Sequence, residues 1–122
     1  SGKDLTSTTG RCRNLDEVAW YDENSGNSTQ PVGGKKPNAW GLYDMHGNIW
    51  EWCMDWYDSD YYDRSPGTDP VNMQAASGRV LRGGGWLGSA GVVRSAGRGR
   101  YWPADTGRNL GFRVCLAPTV RE

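Results

Sequence analysis

The sequence predicts an α+β domain with much irregular structure, in which short strands are joined by long ordered loops. Three observations predict it. Glycine is abundant, at 18 of 122 residues, and has no three-residue period; this suits turns and close backbone approach and argues against a helical bundle or a collagen-like repeat. Seven Trp and six Tyr stand beside a single Phe, so amphipathic rings must carry much of the core, and such rings usually need a partner for their N–H or O–H. Apolar residues recur in brief period-two runs between Gly, Pro, Asn and Asp, as strands between turns do. The length suits one domain.

Residues 1–13 read as a flexible lead-in, polar and rich in Ser, Thr and Gly, and residues 14–122 as a single domain. Asn14 to Tyr21 predicts a short helical turn. Asp22 to Asn38 is dense in Gly, Asn, Ser and Pro and predicts a long loop, which in a compact domain is either functional or tied down locally. A turn at His46–Asn48 precedes a strand over Ile49–Trp56, where Trp50, Trp52, Met54 and Trp56 alternate with Ile49, Glu51, Cys53 and Asp55. Tyr57 to Ser77 predicts a loop. Arg79–Arg82 predicts a strand running into Gly83–Gly85 and Trp86, and Gly111–Leu116 the closing strand. Trp20, Trp40, Trp50, Trp52, Trp56 and Trp86 are expected in the core, and Trp102, next to Pro103 in a loop, is expected to be exposed.

Formal net charge is zero, but Asp and Glu dominate up to Ser77 and Arg from Arg79 onward, opposed only by Asp105 and Glu122. The arginines are interleaved with Gly and Trp rather than clustered, which favours pairing between the two halves over a basic surface, and nucleic acid is not a predicted partner. Cys12, Cys53 and Cys115 form no CxxC pair, so neither a disulfide framework nor a zinc site is expected. Cys53 and Cys115 lie in apolar runs and read as buried thiols. No apolar run approaches membrane-spanning length. The chain carries no targeting segment of its own; it opens at Ser1, so an upstream signal and the compartment stay open.

Three segments, in order, carry a resemblance. They are Asn38-Ala-Trp-Gly-Leu-Tyr-Asp-Met-His-Gly-Asn-Ile-Trp-Glu-Trp52, Arg79-Val-Leu-Arg-Gly-Gly-Gly-Trp86 and Asn109-Leu-Gly-Phe-Arg-Val114. Together they resemble the formylglycine-generating-enzyme, or sulfatase-modifying-factor, family over about Asn14 to Leu116. The resemblance implies a variant of the C-type-lectin-like fold, with the family's usual N-terminal part missing here. It also implies an enzyme as an alternative, because family members oxidise a substrate cysteine with copper held by two cysteines shortly after the Gly-rich segment. Here that stretch, Leu87 to Arg94, holds no cysteine, and soft thiolates are what suits Cu(I). Iron chemistry through histidines would need more than the single His46.

No cofactor is required on this reading. A structural calcium is implied at the turn before the Trp-rich strand, through carbonyls of His46, Gly47 and Ile49 and the Glu51 carboxylate, with Asn14 and Leu15 as a weaker second position. Calcium favours such hard oxygen ligands. The alternative is an empty turn whose Glu51 pairs with an arginine; Arg113, inside an apolar strand, is expected to hold Glu51 or Asp55 through a planar contact.

Leu87 to Gly107 departs most from a packing logic. Leu87, Gly88, Ser89, Gly91, Val92, Gly97, Gly99, Tyr101, Trp102, Asp105 and Gly107 are interspersed with Arg94, Ser95, Ala96, Arg98, Pro103 and Asn109, which read as framework. The pattern is similar to the variable proteins of diversity-generating retroelements, in which mutated template adenines scatter Asn codons. All but Trp102 of the residue types Gly, Ser, Val, Leu, Asp, Tyr and Trp are reachable that way. The reading is a non-catalytic module whose partner is a protein or other surface ligand, with Tyr101 and Trp102 as rigid anchors. The alternatives are a formylglycine-generating or other metal-dependent oxidase, and a structural domain of a larger protein.

Overall fold

A computed structural model describes residues 8–116. The elements are α1 (Arg13–Asp16), β1 (Ala19–Trp20), β2 (His46–Gly47), β3 (Trp50–Trp56), α2 (Tyr61–Arg64), β4 (Arg79–Arg82), β5 (Gly99–Tyr101) and β6 (Leu110–Gly111). β1 and β2 form a small parallel pair, and a second sheet runs β5-β4-β3-β6. β3 and β4 are antiparallel, and the register shifts between Trp52 and Trp56. β4 and β5 are antiparallel, and β3 and β6 are parallel. This is the α+β arrangement of short strands and ordered loops expected from the sequence.

The strands at 50–56 and 79–82 fall where the sequence predicts them, the first one residue shorter than expected. Elsewhere the structure corrects the expectation. The turn predicted over Asn14–Tyr21 is one helical turn at Arg13–Asp16 that then extends into β1. A single turn of helix, α2, interrupts the loop after Tyr57. β5 lies inside the stretch read as loop. The closing strand is only Leu110–Gly111, and Phe112, Val114 and Cys115 beyond it are exposed, so Cys115 is not a buried thiol. Of the lead-in, residues 1–7 lie outside the described residues; the rest is attached, for Thr8 O accepts from Gly91 N and Cys12 is fully buried.

The main core cluster is Cys12, Leu15, Ala19, Tyr21, Ala90 and Val93. Ala90 and Val93 belong to the stretch after the Gly-rich segment, so this core anchors that stretch from beneath. Tyr21 is the polar pin within it. Its hydroxyl accepts from the Cys12 N–H at 2.8 Å and donates to Asp16 Oδ1 at 2.8 Å. Burial pushes the phenol up to about 12, because the charged phenolate would lose its hydration. Among the tryptophans, Trp86 is buried at 2% exposure, Trp20, Trp50, Trp52 and Trp56 are half-buried, and Trp40 is 83% exposed, against expectation.

The loop from Asp22 to Asn38 is tied down, chiefly through Asn48. Asn48 Oδ1 accepts from Gln30 N at 2.9 Å and Nδ2 donates to Gln30 O at 3.0 Å. Its own N–H donates to Trp20 O, and its carbonyl accepts from Trp86 N. This requires left-handed backbone at Gly47 (φ 73) and Asn48 (φ 63), which glycine adopts freely and asparagine tolerates. A side chain at Gly47 would collide with the Trp20 backbone.

The two charged halves do meet, but seldom as ion pairs. Of the four ion pairs among the described residues, only Arg113–Glu51 joins the acidic and basic halves. Several of the other arginines lie on rings, Arg79 over Trp56 at 3.9 Å, Arg98 over Tyr57 and Tyr62 at 4.7 and 4.6 Å, and Arg108 over Trp86 at 5.0 Å, while Arg82 and Arg94 donate to backbone carbonyls. Planar guanidinium groups stack on aromatic faces without needing a carboxylate.

Candidate functional site

Trp86 is the hinge between core and surface. Its indole is buried and its Nε1 donates to Arg108 O at 3.4 Å. From there the chain makes two tight turns, with Gly88 N donating to Gly85 O and Val92 N to Ser89 O. Within these turns Ala90 and Val93 point into the core while Leu87 and Val92 stay exposed. The chain then turns at Gly97, whose N–H donates to Arg94 O, and runs into β5 along the sheet edge. Arg82 fixes this turn by donating from Nη1 to Gly97 O at 3.1 Å.

Tyr101 ends β5 at 43% exposure and Trp102 follows at 63%. A closed turn holds Trp102 in place: its N–H donates to Asp105 Oδ2 at 2.9 Å, and Asp105 N donates back to Trp102 O at 2.9 Å. Asp105 is thus bonded to the backbone that presents Trp102. Gly107 O accepts from Leu110 N and leads into β6.

Gly91, Val92 and Gly97, with Arg94, Ala96 and Arg98, line a shallow cavity of about 340 Å³ walled by Trp50. Trp50 is a residue that sequence reading assigned to the core alone. No local signal marks it, because its place beside Gly85 and Gly99, whose missing side chains leave room for the indole, is set by the fold.

The glycines differ in what they allow. A Cβ at Gly97 would lie far inside contact with Val92 O, and at Gly91 it would meet Thr8 O at 3.0 Å. At Gly88 the nearest atom would be Gly85 O at 3.1 Å. At Gly99 the nearest atoms are Trp50 ring carbons at 3.4 Å, an ordinary contact, and at Gly107 the Asn109 side chain at 3.1 Å, which can move. Gly97, and to a lesser degree Gly88 and Gly91, are therefore backbone requirements. Leu87, Val92, Tyr101 and Trp102 are exposed and Gly107 is open enough for a Cβ, whereas Gly99 has room for little beyond a Cβ beside Trp50 and the buried Leu81, and Asp105 is tied to the turn of Trp102.

The expected calcium set lies elsewhere, at β2 and the start of β3. Gly47 O accepts from Ile49 N at 2.8 Å. Both oxygens of Glu51 are taken by Arg113, which donates from Nη2 to Oε1 at 2.7 Å and from Nε to Oε2 at 3.0 Å. A second bond from Arg113 Nη2 reaches Asp44 O at 3.1 Å. The set's one carboxylate is paired with Arg113, so a calcium ion here would share Glu51 with the guanidinium. In the weaker position, Leu15 O accepts from Val18 N at 3.0 Å and Leu15 is buried. His46 is half-buried, and burial lowers its pKa below the ordinary histidine value. Cys53 is half-buried, with its thiol pushed up by burial and by the nearby Asp55 carboxylate, which disfavours the nucleophilic thiolate.

The sulfatase-modifying factor enzyme 1-like domain matches residues 2–118, and the chain belongs to that family. The formylglycine-generating enzyme of Streptomyces coelicolor is 43% identical over 89 residues, covering 70% of this chain and 28% of that protein. Two solved structures share the fold. Treponema denticola variable protein 1 has a TM-score of 0.78 at 40% identity, covering 91% of this chain and 40% of its own. PvdO from Pseudomonas aeruginosa has a TM-score of 0.70 at 31% identity, covering 91% of this chain and 40% of its own. The chain thus spans well under half the length of these relatives. Among the described residues no helix is long and apolar enough to cross a membrane.

Proposed function

We propose that the chain is a non-catalytic ligand-binding module that displays a variable surface between Leu87 and Gly107 on a sulfatase-modifying-factor scaffold. The observation that carries this reading is the division of labour within that stretch. Ala90 and Val93 are fully buried, while Leu87, Val92, Tyr101 and Trp102 are exposed and held on closed turns. Surface chemistry there can change without touching the core. Rigid aromatic side chains with few rotors suit such a face, since little conformational freedom is lost on binding. The likeness to a protein named as a variable protein supports diversification of these positions. The partner is a protein or other surface ligand.

The rival reading, cysteine oxidation as in the relative named formylglycine-generating enzyme, would need thiolates beside this surface. The stretch 87–107 has none, and the half-buried Cys53 thiol is disfavoured as thiolate.

Randomisation tests the proposal. Libraries randomised at Leu87, Ser89, Val92, Tyr101, Trp102 and Gly107 are expected to remain mostly folded and to yield binders against a defined target such as lysozyme. Libraries randomised at Ala90, Val93 and Gly97 are expected to lose folded clones. Equal loss of folding in both would refute the division.

A further inference from the structure

The arginine-rich half of the chain is left short of counter-charges. Between Arg79 and Arg108 stand six arginines and one carboxylate, Asp105. None of the six takes part in an ion pair among the described residues, and Asp105 Oδ2 is taken by the Trp102 N–H. Arg79 and Arg108 lie over Trp56 and Trp86. Arg82 donates to Ser95 O, Gly97 O and the Tyr62 hydroxyl. That leaves Arg94, Arg98 and Arg100, all within the stretch proposed to bind a ligand.

Arg94 and Arg98 line the cavity of about 340 Å³ walled by Trp50. Donors and acceptors around it are out of balance. Three of its carbonyl acceptors are occupied: Gly91 O accepts from Arg94 Nε at 2.9 Å, Arg94 O from the Gly97 N–H at 2.8 Å, and Gly97 O from Arg82 Nη1 at 3.1 Å. Among the described residues no carboxylate lines it. The donors are not used up, since a guanidinium carries five N–H groups. Arg94 is exposed and makes no hydrogen bond through either Nη among the described residues. Arg98 makes one, from Nη2 to Asp58 O at 3.1 Å, while the Asp58 carboxylate is paired with Arg64.

The Arg98 guanidinium is also held in place. It lies over the Tyr57 and Tyr62 rings at 4.7 and 4.6 Å. Its remaining N–H groups project from the edge of that plane, and little side-chain freedom is left to lose on binding. Arg100 lies over the same Tyr57 ring at 5.1 Å. Two positive charges thus face one ring, and their repulsion is relieved by a negative charge placed beside them.

We infer that the anchoring group of the ligand is an oxyanion, held in this cavity by Arg94 and Arg98 with its carbon skeleton against Trp50 and Val92. Guanidinium forks match the paired oxygens of a carboxylate or of a phosphate or sulfate ester. The inference rests on the reading of 87–107 as a binding surface and names the chemistry that surface selects. Tyr101 and Trp102 supply contact area, and the arginines set the charge of the partner.

The test titrates the full chain with phenyl phosphate and with benzoate, which carry the two oxyanion chemistries on one ring, and with phenol as the neutral control. Arginine Nε–H signals are followed by NMR. At least one of the two acids is expected to shift the Arg94 and Arg98 signals saturably at millimolar concentration, with the Trp50 ring signals moving in step. Phenol is expected to bind at least tenfold more weakly. The tighter of the two acids identifies the source of the oxyanion, an ester or a carboxylate. Arg94→Gln is expected to weaken that acid at least fivefold at an unchanged melting temperature, and Lys36→Gln, an equal loss of charge outside the cavity, to leave it unchanged. Phenol binding as tightly as the acids overturns the inference, as does the absence of any saturable shift, or acid affinity untouched by Arg94→Gln. Each of these outcomes leaves the binding surface itself standing, because that reading falls on the folding and yield of the randomised libraries.

Discussion

Replacing Tyr21 with Phe removes a single oxygen from beneath the proposed binding surface, and its effect can be worked from the structure. The fully buried Tyr21 accepts from the Cys12 N–H and donates to Oδ1 of the half-buried Asp16, both at 2.8 Å. The ring itself, packed in the core cluster with Ala90 and Val93, is kept. Deleting one partner of buried hydrogen bonds costs about 1–3 kcal/mol, more when the partner is charged, as Asp16 is. For a domain of this size each kcal/mol shifts the melting temperature by roughly 4 °C, so Tyr21→Phe is expected to lower it by about 4–12 °C. The pH dependence supplies an internal check. The folded phenol titrates at about 12, above its ordinary value of 10.0. The unfolded chain therefore releases this proton first, and the stabilisation is fully present below pH 10 and lost as pH rises toward 12. The advantage of the parent over Tyr21→Phe should shrink across that window. Calorimetric melting from pH 7 to 11.5 measures both. A variant as stable as the parent at pH 7, or a gap that does not narrow above pH 10, would refute the reasoning.

Other outcomes follow from the same geometry. Gly97→Ala should destabilise by more than about 1 kcal/mol, because its Cβ meets the Val92 carbonyl, whereas Gly107→Ala should be close to neutral, as surface substitutions usually are; chemical denaturation of the pair decides it. His46 is held below its ordinary value by burial, so protonation favours the unfolded chain. Its contribution is complete above the unfolded value near 6.5 and lost as pH falls below it, and His46→Gln should flatten the melting profile between pH 7 and 5. Calcium at millimolar concentration should leave the melting temperature unchanged, since Glu51 is held by Arg113; an increase of several degrees would show that the ion shares Glu51 with the guanidinium.

How far the sequence could be read depends on whether a feature is local. The strand at 50–56 was legible because alternation over several residues is a local signal, and that at 79–82 because a short apolar run ends at the glycines from Gly83. β5 was not, because Gly99-Arg100-Tyr101 lacks an apolar alternation and is a strand only through pairing with Arg79, Val80 and Leu81. The closing strand was read too long, since the pattern at 112–116 asks for a neighbour that the described residues do not provide. Trp40 was assigned to the core by its type, but its exposure reflects which surfaces this stretch of chain can cover. Within the candidate site, Tyr101 and Trp102 could be picked out by chemistry beside Pro103. That Gly97 is a backbone requirement could not, because the clash is with Val92 O, a position fixed only by the folded loop.

The claim that Leu87 to Gly107 is the recognition surface is tested most directly by a paired titration. Once a ligand is in hand, its affinity is measured by calorimetry for the parent, for Tyr101→Ala/Trp102→Ala, and for Trp40→Ala/Leu42→Ala at exposed apolar residues outside that stretch. The account predicts at least a tenfold loss for the first pair at an unchanged melting temperature, and parent affinity for the second. Parent affinity in Tyr101→Ala/Trp102→Ala, with the loss falling instead on Trp40→Ala/Leu42→Ala, would contradict it.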